Sequence, residues 1–311
     1  MKFTFSSMAE NILIAMRYSV TVCGAVAVVE NLLAMAVFAR TKNLRMKYFA
    51  FIFNLAMADF LFGLFIILVI WIDSPILQSI LTASYSVSIL TILAAAVNRY
   101  LALSIMPPAR YDSLVTGYRL LGVCFLFWCF GLIYGFLLHY AYDHETFFTV
   151  ETFGYSVGVF IAWVFTALTY FLAFRKIKQY TPPLASIAGV SSDKERDYTR
   201  VKQTRRLLIV FVLILVTSFF SWLPYAVFSL IAYFNRSLLS NEIFSACFEI
   251  CVLLYALSTL INPLIYWWRL DDFRAGFYEI FCRCRIKAES RETEVEQIVG
   301  LYDNTADETG L

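Results

Sequence analysis

The sequence predicts an all-α membrane protein, a seven-transmembrane helix bundle with a short amphipathic cytoplasmic helix after the seventh span. Of its 311 residues, 60% are hydrophobic and only 15% charged, which is far more apolar than a soluble domain of this length. A helix needs about 20 apolar residues to cross a bilayer. Seven charge-poor runs of that order occur, near 18–39, 48–72, 76–105, 119–141, 152–174, 207–234 and 245–268. The third observation is the placement of basic residues. Cytoplasmic loops retain lysine and arginine, and with the first tail outside only Lys2, Arg17 and Arg236 of the 25 are external.

The opposite topology would translocate "ARTKNLRMK" (39–47), "FRKIK" (174–178) and "RVKQTRR" (200–206). A multi-pass protein with an extracellular N-terminus is therefore expected. Residues 1–17 are its extracellular tail, and they lack the layout of a signal peptide, so the first span is expected to insert itself. The bundle occupies 18–268, with a third cytoplasmic loop at 175–203 whose "TPPLASIAGVSSDKERD" has linker composition. Residues 269–285 form the short cytoplasmic helix. Residues 286–311, acidic and polar, have the composition of a disordered cytoplasmic tail.

Polar residues inside the spans are costly and usually face the bundle interior. The first span holds Glu30 and Asn31, the second Asp59, the third Ser88, and the seventh Ser258 and Asn262. A lone serine or asparagine is ordinarily an interhelical hydrogen bond, but a buried carboxylate wants a proton or a cation. The third span carries no charge from Ser74 to Asn98 and then places Arg99, whose stem lies in apolar surroundings while its guanidinium reaches the interface. Cys282 and Cys284, just beyond the seventh span, are candidate palmitoylation sites. Asn235-Arg236-Ser237 is a glycosylation sequon between spans six and seven.

A transporter or channel using Asp59 and Glu30 as proton or cation ligands is the reading from another class. The absence of an internal repeat counts against it. The two histidines, His139 and His144, come with no nucleophile and base pair in the spans, which points away from an enzyme. Membrane lipid, not nucleic acid, is the expected surrounding.

Six motifs in order resemble those of rhodopsin-like (class A) G protein-coupled receptors. They are Asn31, "NLAMAD" ending in Asp59, Asn98-Arg99-Tyr100, Trp128, "SWLP" (221–224) and "NPLIY" (262–266). The resemblance implies an activation switch of Asn98, Arg99, Tyr100, Tyr170, Trp222, Pro224, Asn262, Pro263 and Tyr266. It also implies an allosteric sodium ion held by Asp59, Ser88, Trp222, Ser258 and Asn262, with no other cofactor. A carboxylate and neutral oxygens suit a hard cation. Implied partners are a heterotrimeric G protein, arrestin, a receptor kinase and an extracellular ligand, and the implied location is the plasma membrane. Within the family, some features resemble adenosine receptors and others melanocortin and cannabinoid receptors.

The resemblance leaves the ligand open. Leu81 stands where amine receptors carry an aspartate, Ala256 where opsins carry the retinal lysine, and Ser229 where adenosine receptors carry an asparagine. The expected pocket, lined by Leu81, Ser84, Tyr85, Phe160, Trp222, Tyr225, Ser229 and Tyr255, favours a small apolar or amphipathic ligand. The acids Asp73, Asp143, Glu145, Glu151, Glu242 and Glu249 near the outer loops would instead favour a cationic peptide. In the resembled family the switch arginine is held by a preceding aspartate and often by an acid at the start of span six. Here Asn98 and Thr204 stand near those places. Ligand-independent activity is therefore expected, lowered by Asn98→Asp and nearly abolished by Arg99→Ala.

Overall fold

A computed structural model of the chain describes residues 2–41, 44, 49–105, 108–180 and 192–282. Among them the regular elements are all helical: α1 (Lys2–Arg40), α2 (Ala50–Trp71), α3 (Pro75–Ser104), α4 (Pro108–Leu114), α5 (Gly117–Tyr140), α6 (His144–Phe148), α7 (Tyr155–Tyr180), α8 (Ser192–Phe234), α9 (Glu242–Arg269) and α10 (Asp271–Phe281). A π-helical turn at Thr149–Gly154 joins α6 to α7, and a 3-10 turn at Arg236–Ser240 joins α8 to α9. Seven segments are long and apolar enough to cross a membrane: Asn11–Arg40, Ala50–Trp71, Pro75–Ser104, Gly117–Tyr140, His144–Lys178, Arg205–Phe234 and Glu242–Arg269. The protein is a seven-span bundle, with α10 as the short helix after the last span.

Helix starts follow from capping chemistry. Pro75 opens α3 after the extended Ser74, a place where its missing N–H costs nothing. Thr116 caps α5 by accepting from the Arg119 N–H, and Asn241 caps α9 by accepting from Ile243 and Phe244. The chain turns extended at Leu270 before α10, whose first-turn Asp271 and Asp272 suit the positive end of a helix dipole.

Two boundaries differ from the sequence reading. Residues 2–17 belong to α1 rather than to a separate tail. At the outer end of the fifth span, Asp143 caps α6, its Oδ2 accepting from Glu145 and Thr146 N–H and its Oδ1 from the Thr146 hydroxyl. Helix therefore begins at His144, inside what reads as the second outer loop. The Thr146 bonds hold the exposed Asp143 carboxyl below the usual carboxylate range. On the cytoplasmic side α7 and α8 extend into the expected third loop, and residues 181–191 lie outside the described set.

Apolar side chains such as Phe125, Phe130, Phe165 and Phe220 point outward and are largely exposed, as lipid contact requires. Inside, small residues let backbones approach. A Cβ on Gly24 would stand 2.9 Å from the Gly63 carbonyl oxygen, and one on Gly135 only 2.2 Å from that of Ser79. Gly135→Ala therefore forces α3 and α5 apart, and overpacking of this kind costs about 1–3 kcal/mol. Gly122 on the same helix meets nothing within 4 Å. Thermal unfolding of detergent-purified protein should show a clearly lowered Tm for Gly135→Ala and an unchanged or slightly raised one for Gly122→Ala.

Candidate functional site

The seventh span contains Pro263 in its interior. Proline lacks the N–H that would bond four residues back, so the Thr259 carbonyl needs another donor. Asn31 on α1 supplies it, its Nδ2 donating to Thr259 O at 3.2 Å and to Ala27 O at 3.0 Å. One residue before the proline, Asn262 turns inward and donates from Nδ2 to Asp59 Oδ2 at 2.7 Å. Ser88 on α3 donates to Asp59 Oδ1 at 3.2 Å. Asp59, Ser88 and Asn262 are all buried, and the carboxylate joins α2, α3 and α9 at mid-depth.

These three residues, with Ser258 and Trp222, line a cavity of about 50 Å³. The Ser258 hydroxyl donates to the Tyr255 carbonyl, which leaves its lone pairs available. The Asn262 Oδ1 is buried with no hydrogen-bond partner. Trp222 contributes only an indole N–H, a donor that forms wall rather than ligand. The Glu30 side chain is not part of this lining. Among the described residues no three His, Cys, Asp or Glu side chains gather around a metal position.

A second cavity of about 260 Å³ lies toward the end of the bundle that holds Arg17, Leu81, Glu151 and Glu249, the end expected to be outer. Of the residues expected there, Leu81, Tyr85, Trp222, Tyr225 and Tyr255 line it. Ser84, Phe160 and Ser229 do not. Ser84 is buried and donates to the Ile80 carbonyl, Phe160 is 50% exposed on the outside of α7, and Ser229 is buried against Tyr225. Three charged residues lie in the lining, Arg17, Glu151 and Glu249. Of these, the sequence reading put the two glutamates among the outer acids and left Arg17 out of the pocket. Phe62, Tyr85, Trp222 and Tyr255 belong to both cavities and form the floor of one and the roof of the other. Tyr255 meets Tyr85 edge to face at 4.5 Å and Phe62 at 5.0 Å.

Near the C-terminal end of α3, Arg99 is 1% exposed, deeper than the interfacial guanidinium expected from the sequence. Asn98 accepts a hydrogen bond from the Tyr111 hydroxyl of α4 at 2.8 Å, and its Nδ2 is buried without a partner. Tyr100 packs on the core, and Tyr170 and Tyr266 are fully buried. Pro224 and Pro263 interrupt α8 and α9. Arg206, at the cytoplasmic start of the sixth span, bridges away from α3. Its Nη2 lies 2.8 Å from Asp271 Oδ2, its Nη1 3.8 Å from Asp272 Oδ2, and its Nε donates to the Arg269 carbonyl at 3.0 Å. Asp271 also pairs with Arg274. Asn235 is exposed and its Oδ1 accepts from the Ser237 hydroxyl. Cys282 follows α10, partly buried, while Cys284 lies outside the described residues, as does the Thr204 side chain.

Comparison with known proteins adds kinship. The profile described as 7 transmembrane receptor (rhodopsin family) matches residues 30–266. The chain is 26% identical over 310 residues to cannabinoid receptor 1 of Xenopus laevis, covering 88% of this chain and 64% of that protein. It is 26% identical to adenosine receptor A3 of Canis lupus familiaris, covering 83% and 88%. It is 31% identical to the neuropeptide F receptor of Drosophila melanogaster, covering 44% and 27%. The chain thus spans less than two thirds of the first and third of these relatives.

Between the two cavities and the lipid, Asn54 ties three spans, donating to Thr91 Oγ1 at 2.7 Å and accepting from Trp128 Nε1 at 3.1 Å. Interhelical hydrogen bonds in membranes average about 0.6 kcal/mol, so Asn54→Ala should cost about 1 kcal/mol in denaturant unfolding. Trp128→Phe in the Asn54→Ala background should cost less than in the parent, because the bond it removes is already gone. Strict additivity in that cycle would show that the two side chains do not interact.

Proposed function

The chain belongs to the rhodopsin family of 7 transmembrane receptors, and on that premise we propose that it is a plasma-membrane receptor with an extracellular N-terminus. In this reading a small apolar or amphipathic extracellular ligand enters the outer cavity and drives activation of a heterotrimeric G protein. It is not an enzyme, and arrestin and a receptor kinase act on its cytoplasmic face. Asn235 carries glycan, and Cys282 and Cys284 carry palmitate. The relatives are named for cannabinoid, adenosine and neuropeptide F ligands, so kinship does not choose among ligands. The mostly aromatic and aliphatic lining of the outer cavity supports the small apolar or amphipathic reading.

The observation that carries the proposal is the shared aromatic floor. A ligand seated above Tyr85, Trp222 and Tyr255 displaces the rings that also roof the Asp59 cavity. Trp222 lies two residues before Pro224, where α8 has lost a backbone hydrogen bond and bends most easily. Rotation there moves the cytoplasmic end of α8 outward and exposes the buried Arg99 to the G protein. The direct test is nucleotide exchange on purified G proteins by reconstituted protein, with ion and solute flux measured in the same vesicles. Exchange without flux supports the receptor; flux without exchange would replace it with a transporter or channel.

Two further outcomes belong to this reading. The Asn262 Oδ1, the Ser258 hydroxyl and the Asp59 carboxylate present oxygens only, the donor set of a hard cation. A sodium ion bound there supplies a positive charge that stabilises the ionised carboxylate. Replacing NaCl by KCl should change nucleotide exchange by the parent protein, and Asp59→Asn should remove that difference. An identical sodium response in parent and variant rules the cation site out.

Basal activity is the second. Arg206 holds α8 to the α9–α10 corner through Asp271, Asp272 and the Arg269 carbonyl, and we take that contact as a restraint on α8. A pair this exposed contributes about 1 kcal/mol or less, and 1.4 kcal/mol corresponds to tenfold in population. Arg206→Gln should therefore raise basal exchange roughly two- to fivefold, with Asp271→Asn shifting it in the same direction and Arg99→Ala abolishing it in either background. Basal exchange that stays at the parent level in both variants would show that the bridge does not restrain α8.

A further inference from the structure

The outer acids are not equivalent. Glu145 is spent on Arg236, with Nη2 2.7 Å from Oε2 and Nη1 2.8 Å from Oε1. Asp143 is spent on the cap of α6, and Asp73 accepts from Gln78. Glu249 faces the charge of Arg17 across the cavity they both line. Glu151 has none of this. Its side chain lines the cavity and makes no hydrogen bond or ion pair among the described residues, with the Tyr134 and Tyr225 rings as its electrostatic neighbours. Burying a carboxylate in such a setting is costly unless a counter-charge arrives.

Its position in the chain is also unusual. Glu151 sits in the π-helical turn Thr149–Gly154, where the extra residue per turn rotates side chains relative to an unbroken helix. The surroundings suit a cation in a second way. Tyr85, Tyr155, Trp222, Tyr225, Phe248 and Tyr255 line the same space, and aromatic faces attract ammonium and guanidinium groups. With Arg17 offsetting Glu249, Glu151 is the carboxylate left over. At about 260 Å³ the cavity is below the range of about 300–1,000 Å³ common for drug-sized ligands.

We infer that the outer cavity binds a compact organic monocation, its ammonium or guanidinium paired with Glu151 and its apolar body held among the tyrosines and Trp222. This rests on the receptor reading above and gives the polar end of the amphipathic ligand a charge. It also locates that charge at Glu151 on the fifth span, in the same lining as Leu81 of the third.

The test uses purified full-length protein and thermal stabilisation as a binding readout. The probes are phenylalkylammonium ions of increasing chain length, their alcohol isosteres and 3-phenylpropanoate. Concentration-dependent stabilisation is expected from the ammonium series alone, weakening with added salt. Glu151→Gln should reduce the apparent affinity by about tenfold or more, Glu151→Asp should retain part of it, and Glu145→Gln, outside the cavity, should retain all of it. Should Glu151→Gln not fold, the comparison of ammonium with alcohol on the parent protein still decides. Equal stabilisation by the alcohols, undiminished affinity in Glu151→Gln, or no stabilisation by any phenylalkylammonium overturns the inference. So does stabilisation by N-acetyl-lysinamide without any from the aryl series, which would assign the carboxylate to a basic peptide. Nucleotide exchange is measured separately. Ammonium binding without exchange would count against the receptor reading alone, and exchange driven by a neutral ligand that ignores Glu151 would count against this inference alone.

Discussion

A carboxylate at mid-membrane depth persists only where neighbouring helices bring donors to it, and that requirement at Asp59 organises the centre of the bundle. Ser88 and Asn262 meet it from α3 and α9. Asn262 is available because it precedes Pro263, and the carbonyl that this proline leaves without its helical donor is met by Asn31 from α1. Asn54, five residues before Asp59 on α2, adds a second polar tie, donating to Thr91 on α3 and accepting from Trp128 on α5. Five spans are thus joined by buried polar contacts in which each donor answers a specific vacancy. The hydroxyls of Thr166, Thr169, Thr217 and Ser221 on α7 and α8 instead return to carbonyls of their own helices. Against α7, α8 rests on apolar and aromatic packing such as Trp163 on Phe219 at 3.9 Å. Such packing is non-directional and can slip, whereas the Asp59 network cannot slip without orphaning a polar group in hydrocarbon.

That division gives the aromatic floor its mechanical meaning. Tyr85 stands on one of the spans joined by polar contacts and Trp222 on α8, the span the proposed activation moves, and both border the two cavities. An occupant of the outer cavity therefore acts at the seam between those spans. Edge-to-face contacts of the kind Tyr255 makes with Tyr85 and Phe62 are worth about 0.5–1.5 kcal/mol each, small enough for a ligand's binding energy to rearrange several of them.

The sequence announced the spans because lipid imposes apolarity along whole helices, and it announced Asp59, Asn262 and Trp128 because their motifs recur in order. What it concealed has physical reasons. The cap at Asp143 was present in "DHET", yet apolarity defined the span and began it several residues later. The π-helical turn that carries Glu151 depends on how α6 and α7 pack, which no local pattern encodes. Phe160 and Ser84 were misplaced because neighbouring positions on a helix differ by about 100°, so a small rotation exchanges pocket for lipid or for a helix interface. The Arg206 bridge joins residues 65 apart and has no periodicity at all.

At the end of the bundle that holds Arg99, the contacts in the proposed switch are weak ones. Arg99 is buried to 1% exposure on α3. Asn98, lacking the charge that would bind Arg99 directly, serves Tyr111 and so anchors α4 to α3. α8 is tied to α10 by Arg206, whose side chain is 35% exposed and whose partner Asp271 is 71% exposed, a screened setting in which charge pairs contribute little. A strong buried lock would need a matching input to open. In the proposed activation, a screened pair at the membrane edge would leave closed and open arrangements within a few kcal/mol, a gap that rearranged rings around Trp222 on the same helix could shift.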